Sequence, residues 1–82
     1  MGEREVQTPE QLVAAVAAMY NVAAEVGGTV RYTGGSVPRF GTIKSAYGAR
    51  LLIVLDGEKK PRAYHPTWEL EYIEDTRGQL QG

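Results

Sequence analysis

The pattern of apolar and polar positions changes period once along this chain, at Gly27-Gly28, and the two halves ask for different structures. Ahead of the glycines the spacing is helical: with Leu12 at zero on a helical wheel, Val16, Met19, Ala23 and Val26 fall within about 40° of it. Val13, Tyr20 and Val22 widen that sector, and Glu10, Gln11, Asn21 and Glu25 mark the polar side. Thr8-Pro9-Glu10-Gln11 is a strong start signal, with a capping threonine, a proline whose missing N–H costs nothing at the first helical position, and a glutamine placed to close a capping box. The spacing predicts a helix over 8–26, stopped by the glycine pair.

Beyond the glycines the period is that of strands. Thr29 to Thr33 alternates and reads as a first strand, followed by a loop over 34–39 and a second strand from Phe40 to Ala46. Tyr47-Gly48 turns the chain into a third strand, Ala49 to Leu55. Asp56-Gly57 opens a longer charged tip, Glu58-Lys59-Lys60-Pro61, before a fourth strand at 62–65. Pro66-Thr67-Trp68 reads as one 3₁₀ turn, and 69–73 as the fifth strand. Leu51-Leu52-Ile53-Val54-Leu55 does not alternate, so both faces of that strand need cover: one from the core, the other from the helix or a second subunit. Residues 1–7 and 75–82 are polar and without period, and are expected as a flexible arm and tail.

At 82 residues the chain has room for one domain with a modest core. It contains no cysteine, which removes disulfides and thiolate metal sites and suits a reducing, cytoplasmic setting. The apolar run from Leu12 to Ala24 is alanine-rich and interrupted by Asn21, a poor membrane span or signal peptide. Net charge is −1, yet the charges are sorted: residues 31–62 hold seven basic side chains against two acidic, a local +5, while 1–28 and 63–82 are each −3. Such a middle segment suits an acidic protein or a polyanion, or pairs off across the surface.

Catalytic chemistry finds little to stand on. His65 is the single histidine and Ser36 and Ser45 the only serines, so no nucleophile–base pair is indicated. Glu69 and Glu71 are expected to share a solvent face of the last strand, where charge discourages edge pairing. Gly34-Gly35-Ser36 lacks the lysine and following helix of a phosphate loop. No enzyme activity, metal or cofactor is therefore expected.

The order of elements, with Gly41, the Leu51 to Leu55 run, Asp56-Gly57 and Trp68 to Ile73 at their spacings, resembles an SH3-like small barrel of the KOW and Tudor type over residues 29–74. This resemblance implies an α+β, mainly β domain, with the N-terminal helix packed on a five-stranded antiparallel barrel, acting as a binding module. It lacks the acidic loop with paired tyrosines of peptide-binding SH3 domains and a four-aromatic cage.

Aromatic and basic residues interleave at Tyr32, Arg39, Lys44, Tyr47, Arg50, Arg62, Tyr64 and Trp68, the candidate partner surface. Tyr, Trp and Arg dominate protein interfaces, and the leading expectation is a small adaptor- or inhibitor-type accessory protein that binds another protein. The same residues suit nucleic acid, with rings stacking on bases and cations tracking phosphates, and that is the alternative. The broad helical stripe, with Leu12, Val16, Met19, Tyr20 and Ala23, suggests a homodimer through the helix.

Overall fold

A computed structural model describes residues 7–73, so the expected arm and tail lie outside the described residues except for Gln7. The order of elements is α1 (Pro9–Tyr20), β1 (Thr29–Tyr32), β2 (Arg39–Tyr47), β3 (Arg50–Leu55), β4 (Arg62–Tyr64) and β5 (Leu70–Ile73). The start of α1 follows the sequence closely. Thr8 Oγ1 accepts from the Gln11 N–H at 3.2 Å and Gln11 Oε1 accepts from the Thr8 N–H at 2.9 Å, the reciprocal pair of a capping box.

The end of the helix is a correction. It stops at Tyr20, well short of Val26, because Asn21 takes the left-handed conformation (φ 56°, ψ 52°) and its N–H turns back to Ala17 O. Asparagine tolerates that region better than other non-glycine residues. The next five residues look apolar enough to continue the helix, but Val22, Ala24 and Val26 are half-buried while Ala23 and Glu25 are exposed. That is the alternation of extended chain, and it lets Ala24 and Val26 pack against the core without helical backbone. Gly27 and Gly28 do not stop a helix; they bond to Ile43, donating to its carbonyl at 2.8 Å and accepting its N–H at 3.0 Å.

All five strands form one antiparallel sheet in the order β4-β3-β2-β1-β5. It is not closed into a barrel, which corrects the expected closure. Pro61 and Pro66 flank the three-residue β4, and neither has an N–H with which to extend a ladder. The sheet nevertheless curls until Tyr32 of β1 and Tyr64 of β4 meet edge to face, ring centroids 5.0 Å apart. The 3₁₀ turn expected at 66–68 is a simpler turn, with the Trp68 N–H 3.4 Å from His65 O.

Residues paired across strands share a face, so the register assigns both faces. Val30, Gly41 and Leu55 form one inward row, with Ile43, Ile53, Ala46 and Leu51 beside them. α1 lies over this face and adds Val13 and Val16 to the core. Gly41 is a packing requirement: a Cβ there would sit 2.7 Å from Leu55 Cδ2 and 2.9 Å from Ile53 Cγ2. The outward rows carry Ile73-Thr29-Thr42-Val54, Glu71-Arg31-Phe40 and Ser45-Leu52-Ala63. Leu52 and Val54 therefore point away from α1, which covers only the inward side of β3.

Candidate functional site: the aromatic seam

The curl of the sheet gathers five of the chain's seven aromatic residues, Tyr20, Tyr32, Tyr64, Trp68 and Tyr72, along the line where β4 approaches β1 and β5. Tyr64 ends β4 and Tyr32 ends β1, and their rings meet there. Just past β4, His65 stacks on Trp68 with centroids 4.1 Å apart and planes 10° from parallel, while the Tyr20 ring at the end of α1 meets His65 edge-on at 5.3 Å. His65 Nδ1 accepts from the Thr67 N–H at 3.1 Å, so the neutral ring carries its proton on Nε2. Pro66 is fully buried beneath this turn, and its carbonyl accepts from the Tyr72 hydroxyl at 2.6 Å. Trp68 is thus held from behind while its outer face stays open; the residue is 64% exposed.

Burial acts on two of these phenols. The Tyr72 hydroxyl is pushed up to about 12 by desolvation. Tyr64 is raised as well, first by burial and then by the neighbouring Glu58 carboxylate, with Arg62 and Arg39 opposing.

A charged cluster adjoins the seam at the β3–β4 tip. Arg39 donates to the Asp56 carbonyl at 2.6 Å, and its guanidinium lies 3.6 Å from Glu58. Arg62 approaches the other oxygen of the same carboxylate at 4.0 Å. That oxygen, Oε1, is buried and accepts no hydrogen bond among the described residues. On the outward side Arg31 bonds Glu71 at 2.9 Å. Three of the seven cations behind the +5 excess therefore face carboxylates, but Arg39 and Arg62 share Glu58, which that excess already counts; only Glu71, from a segment that the chain's charge map sets apart, lowers it, from +5 to +4.

Of the expected partner residues, Tyr32, Arg39, Arg62 and Tyr64 come together, with Trp68 joined to them through His65. Lys44, Tyr47 and Arg50 lie elsewhere. Lys44 is the extra residue of a bulge between Ile43 and Ser45, and Tyr47 pairs with Arg50 across the tight turn in which Gly48 has φ 61°. Of the residues assigned to a helical dimer face, Val16 is buried in the core, Leu12 and Tyr20 pack against it, and Ala23 is exposed but lies past the helix; Met19, 60% exposed, is the one exposed residue of that set on the helix itself.

Sequence reasoning missed Tyr20, Glu58 and Tyr72 as parts of this surface and read His65 apart from Trp68. Only the spacing of His65, Thr67 and Trp68 carried a signal, since a side chain capping a turn two residues on is a local motif. Glu69 and Glu71 do not share a strand face. Glu69 precedes β5 with φ 54°, and a Cβ on Gly34 would collide with its carboxylate and with the Tyr32 hydroxyl. Among the described residues no three His, Cys, Asp or Glu side chains converge on a metal-sized site, and no helix is long and apolar enough to cross a membrane. Compared with family models, curated proteins and solved structures, the chain matches none.

Proposed function

We propose that this chain is a non-catalytic binding module that recognises another protein through the seam, with Trp68 as its anchor. The observation that carries the reading is the pose of Trp68: largely exposed, yet stacked on a histidine that is itself fixed by Thr67 and Tyr20. An exposed indole held in one place loses little freedom on binding, and such aromatic anchors dominate interface energies. The succession of five short strands, a first loop over 33–38, a charged hairpin tip and a turn before the last strand supports an SH3-like reading, in an open form of the sheet.

Nucleic acid is the weaker reading because Arg31, Arg39 and Arg62 already face carboxylates, and phosphate binding would have to displace or overcome them. The test is a photo-crosslinking p-benzoylphenylalanine placed at Trp68, with a second at Tyr47 as control, in cell extract. Nuclease-resistant protein adducts from position 68 and few from position 47 are expected. Nuclease-sensitive adducts, or equal yields from both positions, contradict the proposal.

A further inference from the structure

We propose that the partner bound at the seam presents an acidic segment, one apolar side chain of which lies over Trp68 while a carboxylate about 10 Å along it enters a cleft at the β3–β4 tip. The proposal rests on the reading of Trp68 as an anchor and adds the chemistry of what it anchors.

The cleft has a volume of about 280 Å³ and is lined by Glu58, Lys59, Lys60 and Arg62. Its charges are sorted by depth. Glu58 is turned in between Arg39 and Arg62, its side chain 20% exposed, whereas the Arg62 side chain is 71% exposed and Lys59 and Lys60 are exposed as well. Neither lysine forms an ion pair among the described residues. Asp56, the other acid of the tip, does not line the cleft, and Glu69, next to Trp68 in the chain, lies against Gly34 and Tyr32. An incoming group therefore meets cations, and the complementary charge is negative.

Cleft and anchor are close enough for one short segment to reach both. Arg62 begins β4 and His65 follows its end, three residues of extended chain or roughly 10 Å. The anchor also asks for an acceptor. With Nδ1 taken by the Thr67 N–H, His65 carries its proton on Nε2, and that N–H has no acceptor among the described residues. A partner that covers the stacked pair must supply one, which a backbone carbonyl of the same segment does, or leave the group unsatisfied. A protein carboxylate fits the cleft better than a nucleic-acid backbone does. Two free lysines beside an arginine already held by Glu58 suit a single anionic group, but they form no track for successive phosphates.

Trp68 is the only tryptophan, so its emission reports directly on occupancy of the anchor. The probe is a random peptide library selected on the native chain, with the recovered peptides resynthesised. They should carry Asp or Glu about three residues from an apolar side chain and shift the Trp68 emission. Their affinity should fall at least about tenfold when that acid is replaced by its amide, or when the chain carries Lys59→Gln/Lys60→Gln with an unchanged circular dichroism spectrum. A library that yields no ligand, peptides without enrichment in acids, or acidic peptides indifferent to both changes overturn the proposal. So does a single-stranded oligonucleotide that binds the native chain more tightly than the peptides and depends on the same lysines. Peptides lost with Trp68→Ala but not with the lysine variant would overturn the acidic segment and leave the anchor standing, whereas peptides indifferent to Trp68→Ala would sink the anchor itself.

Discussion

Gly41 and Tyr72 show how far single side chains are constrained here. Gly41 on β2 lies under the Leu55 and Ile53 side chains of the paired β3, so Gly41→Ala must displace both and should cost about 1–3 kcal/mol in a denaturant melt. A melt like that of the native chain would show that the packing over Gly41 is looser than these distances imply. Tyr72 offers a titration. Its hydroxyl is held protonated to about 12 against an ordinary 10.0. The folded state therefore binds that proton more tightly than the unfolded one, and the resulting stability is complete below pH 10 and lost as pH climbs toward 12. Tyr72→Phe removes both the ionisation and the bond to Pro66. The stability gap between the two proteins should narrow over that window, and a gap independent of alkaline pH would contradict the burial of the hydroxyl.

Among the elements, α1 and β3 carry the fold and were unequally legible. The start of α1 was readable because capping is local: Thr8, Pro9 and Gln11 act on each other and on nothing else. Its end was not, because Val22, Ala24 and Val26 fit a helical stripe and an alternating strand-like segment equally well, and Asn21 alone marks the break. The helical wheel treats Val16 and Met19 as equivalent, but only Val16 is enclosed by the sheet. Val16→Asp should accordingly unfold the domain, and Met19→Asp should leave its melting temperature nearly unchanged. In β3, Ile53→Ala should cost about 2–5 kcal/mol, as truncations of enclosed aliphatic residues do, against little for Arg50→Ala. Equal losses at those two positions would place β3 outside the core. The unbroken apolar run of β3 led to an expectation of cover on both faces; α1 lies over the inward one, whereas Leu52 and Val54 on the outward one are half-buried with no element over them among the described residues.

On the scale of the whole molecule, the surface is organised by the curl of the sheet. Interleaved aromatic and basic residues could be seen in the chain, but their division into the seam and the separate Lys44, Tyr47 and Arg50 end depends on strand register and on a bulge, which no local pattern specifies. The charge map was incomplete in a similar way, since strand pairing brings Glu71 beside Arg31 from the acidic end of the chain, and the hairpin tip sets one carboxylate, Glu58, between Arg39 and Arg62. What remains most exposed and yet fixed is Trp68. The central claim is tested most directly by quantitative affinity capture from nuclease-treated extract with the native chain, Trp68→Ala and the double variant Lys44→Glu/Arg50→Glu, each first shown to be folded. Trp68→Ala should lose the captured protein at least about tenfold, as hot-spot truncations do, while the double charge reversal retains it. Undiminished capture by Trp68→Ala, or loss only in the charge-reversed chain, would contradict an anchor at the seam.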